Sequence, residues 1–369
     1  MRAPVSLGRP RVASGAVTVA APPSLTAIAT RTDARLDEVL DAERTRWVAV
    51  AAELGGPIDE IRRMVHSGGK RLRPAFCAWG FIGAGGAEDD HRVVDAGAAI
   101  ELMHAFALFH DDVMDDSNSR RGAPTTHAVY RVTHREQGWA GESRRFGEGV
   151  AILVGDLAFV LSDQLLAGAP AAVWELWNDL RLELNAGQLL DIIGSVQRER
   201  RLAATERIAR YKSGKYTIER PLHLGAVLAA PDRRAELLPA LSAYGLPLGD
   251  AFQMRDDVIG AFGDTAVTGK PVGDDLREGK PTPLLARAVA RATPAQWAVL
   301  DLVGRPDLTD HQIAAVQQTI IETGALAELE TRIGVLAEEA VAALDRIDLV
   351  APARDELTAL ADYVVARAT

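Results

Sequence analysis

Apolar residues recur at three-and-four spacing from about Asp33 to the C-terminus, and this period predicts helix after helix. Leu36, Val39, Leu40, Trp47, Val50, Ala51 and Leu54 share one face, and Gly55-Gly56-Pro57 is expected to stop that helix. A short helix with Ile58, Ile61 and Val65 follows. The turn Ser67-Gly68-Gly69-Lys70-Arg71-Leu72-Arg73-Pro74 comes next, and Pro74 suits the first turn of another helix. A long apolar helix runs from about Glu88 to a cluster of aspartates. Residues 149–167, 171–198, 203–230 and 237–262 continue the pattern, with Pro221 expected to kink or break the third of these. Polar residues 133–148 read as an exposed loop and glycine-rich residues 263–281 as a long functional loop. Thr293-Pro294-Ala295-Gln296 is a capping box with proline at the first helical position. No window alternates with period two and β-branched residues, so one all-α domain over 31–369 is expected. Residues 1–30 carry Arg2, Arg9 and Arg11 with no acid, and Pro22-Pro23 interrupts their apolar stretch. They are expected to be a disordered tail.

Composition narrows the possible functions. The net charge is −10, which argues against nucleic acid as a partner, since phosphate backbones need a basic footprint. Hydrophobic residues make up 48% of the chain and aromatics only 5%, as suits packed Ala- and Leu-rich helices. No run of 18 apolar residues occurs, so no transmembrane helix is expected. The single cysteine, Cys77, lies in an apolar context and excludes an intrachain disulfide. It fits a reducing compartment, and a cytoplasmic location is expected.

The chemistry concentrates at residues 104–127. There an apolar helix ends in Asp111, Asp112, Asp115 and Asp116, and Arg120-Arg121 follows. Asp111 and Asp115 are four apart and share a helix face, where like charges repel. Carboxylates without cysteine or paired histidine suit Mg²⁺, which completes its shell with water and phosphate oxygens. Arginine and lysine hold phosphate, and glycines at 68 and 69 let backbone N–H groups approach an anion. A lone acidic string could equally be a solvated helix end. A second one weighs against that: Asp256-Asp257 also closes an apolar helix and is trailed by Lys270. Two acid-tipped helices facing each other across a cavity could share Mg²⁺ with a diphosphate. Such a site would stabilise the charge that develops when a C–O bond to diphosphate breaks.

Six segments, in order, carry a resemblance: Gly68-Gly69-Lys70-Arg71-Leu72-Arg73-Pro74, His110-Asp111-Asp112-Val113-Met114-Asp115 with Arg120-Arg121-Gly122, Gly187-Gln188-Leu189-Leu190-Asp191, Lys212-Ser213-Gly214, Phe252-Gln253-Met254-Arg255-Asp256-Asp257 and Thr268-Gly269-Lys270. Over residues 33–369 the chain resembles the trans-isoprenyl diphosphate synthases, or polyprenyl synthetases. The resemblance implies the isoprenoid synthase fold, an all-α bundle of ten or more helices around a central cavity, as a homodimer. It implies head-to-tail condensation of isopentenyl diphosphate with an allylic diphosphate, with about three Mg²⁺ per active site. Asp111 and Asp115 would bind two ions and Asp256 a third, with Asp112 and Asp257 in support. Arg120, Lys212 and Lys270 would hold the allylic diphosphate, and Lys70, Arg73, His104 and Arg121 the isopentenyl diphosphate. Ser213 and Gln188 would lie near the allylic cation, and Gln253 would join substrate binding. The released diphosphate would itself act as the base.

The chain departs from the family pattern at Gly260, where the second motif usually ends in an acid; Asp264 is the candidate replacement. Ser213 stands where threonine is common. Phe106 and Ala107, five and four residues before Asp111, are the expected determinants of product length, and one aromatic there resembles enzymes that make geranylgeranyl diphosphate. Farnesyl or longer products, a class I terpene cyclase and a non-catalytic synthase subunit are the alternatives. A cyclase has no second substrate and would leave Lys70, Arg73 and Arg121 idle. A non-catalytic subunit would be expected to lose aspartates.

Overall fold

The computed structural model describes residues 19–263, 272–305 and 307–367. It is an all-α bundle. Helix α1 (Pro23–Val48) opens it, followed by α2 (Gly55–His66), α3 (Leu72–Gly83) and the long α4 (His91–Met114). Helices α5 (Thr126–Glu136), α6 (Ser143–Leu165) and α7 (Ala171–Val196) come next. A continuous rod then runs through α8 (Leu202–Ala209), a π-helical stretch (Arg210–Glu219) and α9 (Arg220–Ala229). Helix α10 (Arg234–Phe262) leads to the short α11 (Asp274–Glu278). The chain closes with α12 (Pro283–Arg291), α13 (Pro294–Leu300), α14 (Asp310–Glu322), α15 (Ala325–Leu344) and α16 (Ala353–Ala366).

Helix α4 is apolar on nearly every side and is the core helix, packed among α1, α2, α3, α6 and α9. Asp90 caps its first turn by accepting from the Arg92 N–H. By length and composition alone α4 could cross a membrane, although no unbroken run of 18 apolar residues exists; 61% of its most apolar window is buried inside this bundle. The predicted capping box is present: Thr293 and Gln296 bond reciprocally at α13, and Thr309 and Gln312 do the same at α14.

Several boundaries differ from expectation. The tail expected over 1–30 ends earlier, because α1 begins at Pro23; proline at the first helical position starts a helix as readily as it interrupts one, and Leu25 is buried. Residues 1–18 lie outside the described residues. Helix α1 stops at Val48, leaving Val50 and Leu54 exposed, and Gly55-Gly56-Pro57 opens α2 instead of ending α1. The loop expected over 133–148 is mostly the end of α5 and the start of α6, with Glu142 capping the latter. Pro221 does not break its rod: the π-helical stretch just before it absorbs the missing donor. A two-residue hairpin pairs Ser119-Arg120 with Ala123-Pro124. Arg121 and Gly122 at its tip both take positive φ (51° and 76°), the geometry of a tight type I′ turn.

Candidate active site

One acid-tipped helix, α10, lines a hollow directly, and the α4 tip is joined to its rim by cations. A cavity of about 730 Å³ is lined by Asp256 and Asp257 from α10, Asp191 from α7, Lys212 and Ser213 from the π-helical stretch, and Arg120 from the hairpin. A second hollow of about 370 Å³ shares Gly68, Lys70, Arg120, Arg121, Ser213 and Asp256 with it and adds Arg73 and His104. The α4 tip reaches this space through its partners. Lys212 Nζ lies 3.2 Å from Asp111 Oδ1 and 2.6 Å from Asp191 Oδ2. Gln188 Nε2 donates to the same Asp111 oxygen at 3.0 Å. Arg120 forks across the tip, 2.7 Å to Asp112 and 3.1 Å to Asp111. The hairpin that follows α4 so directly turns Arg120 back onto it.

Local backbone places Lys212. A Cβ on Gly187 would stand 2.3 Å from the Lys212 amide nitrogen, so only glycine lets α7 lie this close to the π-helical stretch. The widened helix aims Lys212 at Asp111 from that position.

The electrostatics show why such a site wants a cation. Burial opposes the Asp111 charge, but Lys212, Lys280 and Arg120 outweigh it and hold this carboxyl far below the usual range. Asp115 goes the other way: burial and the neighbouring Asp111 charge push it up to about 6, with Lys280 only partly opposing. On α10, burial raises Asp256, with Arg367 opposing, and raises Asp257 well above the usual range. Gln253 donates to Asp257 Oδ1 at 2.8 Å, while the buried Oδ2 has no hydrogen-bond partner among the described residues. The described residues contain no cluster of three acidic, histidine or cysteine side chains able to hold a metal unaided. Split carboxylate pairs with lysine and arginine beside them suit Mg²⁺, which takes one or two carboxylates and fills its shell with water and phosphate. The donor set therefore fits that ion.

The second hollow is a cation wall. Arg73 Nη2 donates to Tyr216 Oη at 2.6 Å, and Tyr216 Oη lies 3.1 Å from His104 Nδ1. Burial, then Arg73 and Arg121, push His104 well below its ordinary range, so it is neutral and can accept from Tyr216. Arg121 donates to Ser67 Oγ and to the Gly68 carbonyl, and Gly68 and Gly69 take positive φ. Behind this loop Arg71 is buried and pairs with Glu101 at 2.9 Å and with Asp33 at 2.6 Å. Arg71 is thus a structural anchor for Lys70 and Arg73.

Of the expected site residues, Lys270 and the candidate replacement Asp264 lie outside the described residues. Phe106 packs against His110 and Phe159, each ring centroid at 4.7 Å, and Ala107 packs in the adjoining core. Several site neighbours were not expected. Lys280 lies 3.9 Å from Asp115 and 3.6 Å from Asp275. Arg367 pairs with Asp256 at 2.7 Å and stacks on Phe252. Asp191, Tyr216, Asp274 and Asp275 also line the larger cavity. Asp191 had a legible signal, three residues after Gln188 on one helix face; Arg367 had none.

A family model described as polyprenyl synthetase matches residues 58–320. A geranylfarnesyl diphosphate synthase of Aeropyrum pernix is 32% identical over 82% of this chain and 92% of its own length. A geranylgeranyl diphosphate synthase of Methanosarcina mazei is 30% identical over 91% of this chain and 94% of its own. Among solved structures, a Corynebacterium glutamicum geranylgeranyl pyrophosphate synthase complexed with isoprenyl diphosphate and magnesium superposes with TM-score 0.86 at 38% identity, over 92% of this chain and 99% of that one. The chain belongs to the polyprenyl synthetase family. It is a prenyltransferase, an isoprenyl diphosphate synthase with the family's all-α fold.

Proposed function

We propose that this enzyme joins isopentenyl diphosphate head-to-tail to an allylic diphosphate, releases diphosphate, and makes geranylgeranyl diphosphate as its main product. One observation carries the two-substrate reading. The two adjoining hollows carry two groups of cations: Lys212, with Arg120, beside the α4 carboxylates, and Arg73 in the smaller hollow, with Lys70 and Arg121 lining both. Two diphosphates need two anion sites, and a cyclase acting on one would leave the second wall idle.

Bound Mg²⁺ would supply Lewis-acid stabilisation of charge on the leaving diphosphate. Asp111, Asp115 and Asp256 would hold about three such ions, with Asp112 and Asp257 orienting them. Lys212 and Arg120 already face the α4 tip and would stabilise the same charge as it develops. Gln188, bonded to Asp111, and Ser213 on the cavity wall would flank the allylic carbon as it becomes cationic. Neutral His104, held by Tyr216, would orient isopentenyl diphosphate without adding charge.

The product assignment rests on Phe106, the aromatic residue five before Asp111, and on likeness to the Corynebacterium and Methanosarcina enzymes. The Aeropyrum relative is named for a longer product, so length must be measured. We place the enzyme in the cytoplasm as a homodimer. Helices α6 and α7 leave a run of large apolar side chains exposed, among them Leu153, Val160, Leu182, Leu189 and Val196, and a second copy would cover them. The test is chromatography of products from the purified enzyme with Mg²⁺, isopentenyl diphosphate and each allylic primer. The reading expects geranylgeranyl diphosphate. A hydrocarbon formed from geranylgeranyl diphosphate alone would favour a cyclase instead.

A further inference from the structure

The π-helical stretch presents different side chains to the cavity from those an α-helix would. Its bonds run to the fifth residue, so Lys212 and Thr217, five apart, share a face with Tyr216 between them. In an α-helix, with about 3.6 residues per turn, Thr217 would lie about 140° round from Lys212, and Glu219 within about 20° of it. The wide turn thus brings a hydroxyl to the substrate side and carries a carboxylate away from it. The contacts agree. Lys212 meets Asp111, while Tyr216 and Thr217 both accept from Arg73 Nη2, at 2.6 and 3.0 Å. One segment therefore touches both groups of cations.

Its opposite side carries a network that the site does not use. Lys215 Nζ lies 2.7 Å from Glu183 Oε1 of α7 and 3.4 Å from Glu219 Oε2. Glu219 is 3% exposed, and its Oε1 accepts from Ser242 Oγ of α10 at 2.6 Å. Its Oε2 has no hydrogen bond among the described residues and depends on the Lys215 charge. Arg220 forks onto Glu183 at 2.7 and 2.6 Å and makes it a fixed post. Pro221 accounts for a wide turn being tolerated here, but it does not choose which side chains face the cavity.

We propose that Lys215 and Glu219 are positioning residues: tied to Glu183 and Ser242, they hold residues 210–219 wide from behind and so set Lys212 and Arg73 together, one for each substrate. The assignment to two substrates rests on the proposed function; the wide turn and its ties do not.

Steady-state kinetics with each substrate varied, the thermal midpoint of each variant, and a crystal structure of Lys215→Met test it. In Lys215→Met, kcat should fall and KM for isopentenyl diphosphate should rise, each by about tenfold, together the roughly 10²-fold loss in kcat/KM that an ångström of misplacement costs. Glu219→Gln keeps the Ser242 contact, loses the charge, and should move both constants in the same directions. Lys215→Arg keeps the charge and should stay near wild type. Thr217→Val, on the substrate side, should raise that KM and spare kcat. A merely structural role would lower the thermal midpoint and leave the constants of the folded enzyme alone. In the crystal structure residues 210–219 should tighten towards an α-helix. Either constant unchanged in Lys215→Met, Lys215→Arg as impaired as Lys215→Met, or a turn that stays wide would each overturn the proposal. A wild type that does not consume isopentenyl diphosphate would instead overturn the two-substrate reading, and the crystal structure alone would then decide the positioning role.

Discussion

Removing the Phe106 ring should lengthen the product, and the structure sets by how much. Phe106 is half-buried on α4 and packs at 4.7 Å, centroid to centroid, on Phe159 of α6. Phe159 is itself pinned: Arg181 stacks on it at 4.9 Å, and Arg181 is tied to Asp163 at 2.9 Å. Asp163 also accepts from Trp177 Nε1 at 2.7 Å, so Phe159 cannot readily swing into the space that Phe106→Ala would open. An isoprene unit adds four backbone bonds, about 5 Å when extended. The space won before the growing chain meets Phe159 is thus close to one unit. Phe106→Ala should move the main product one isoprene unit longer, and Phe106→Ala/Phe159→Ala at least one more. A fully buried Phe→Ala change costs about 3–5 kcal/mol. The half-buried Phe106 should cost less and leave the enzyme folded. The assay is chromatography of dephosphorylated products, which reads chain length independently of the amount of active enzyme. An unchanged product from Phe106→Ala would remove that residue from the floor of the chain cavity. A single variant that jumps by several units would show that Phe159 is no second barrier.

Three other predictions follow from named contacts. Lys212→Met removes the cation between Asp111 and Asp191; kcat should fall by about 10²–10³-fold, the usual cost of one preorganised charge stabiliser, while KM for isopentenyl diphosphate stays nearly constant. Steady-state kinetics with each substrate varied in turn separates this from a general loss of activity. Glu101→Gln strips one carboxylate from buried Arg71, which keeps Asp33. At the low end of the usual cost, about 3 kcal/mol, and with unfolding entropy scaling with chain length, calorimetry should show Tm lower by ~4 °C, together with a raised KM for isopentenyl diphosphate. Burial pushes the His223 imidazole down to about 4, whereas the unfolded chain titrates near the ordinary 6.5. As pH falls through that window the unfolded state takes up a proton that the folded state refuses. Stability complete above about pH 6.5 should therefore drain by about 3 kcal/mol towards pH 4. Denaturant titrations across that range should show the acid limb flattened in His223→Gln.

The helices were legible because their period is local. Helix α6 repeats its apolar positions every three or four residues, and α4 is apolar almost throughout, so the sequence alone carries both signals. Proline and glycine were less legible, since each has two uses. Pro23 starts a helix, Gly55-Gly56-Pro57 opens one, and Pro221 is taken up by a wider helical turn. The carboxylates and most cations of the site could be read from their motifs. What could not be read was convergence across distant elements. Arg367, near the chain's end, reaches Asp256 only because α16 packs back on the bundle. Cys77 is the simplest case: it is fully buried, and burial pushes its thiol up to about 12, as its apolar surroundings implied.

The most direct test of the shared-metal account is a crystal structure of the enzyme with Mn²⁺ in place of Mg²⁺, diphosphate, and anomalous data at the manganese edge. The account predicts manganese at Asp111 and Asp115 and again at Asp256, with diphosphate oxygens joining the two sets. Manganese at neither tip, or at one tip alone with the diphosphate bound elsewhere, would contradict it.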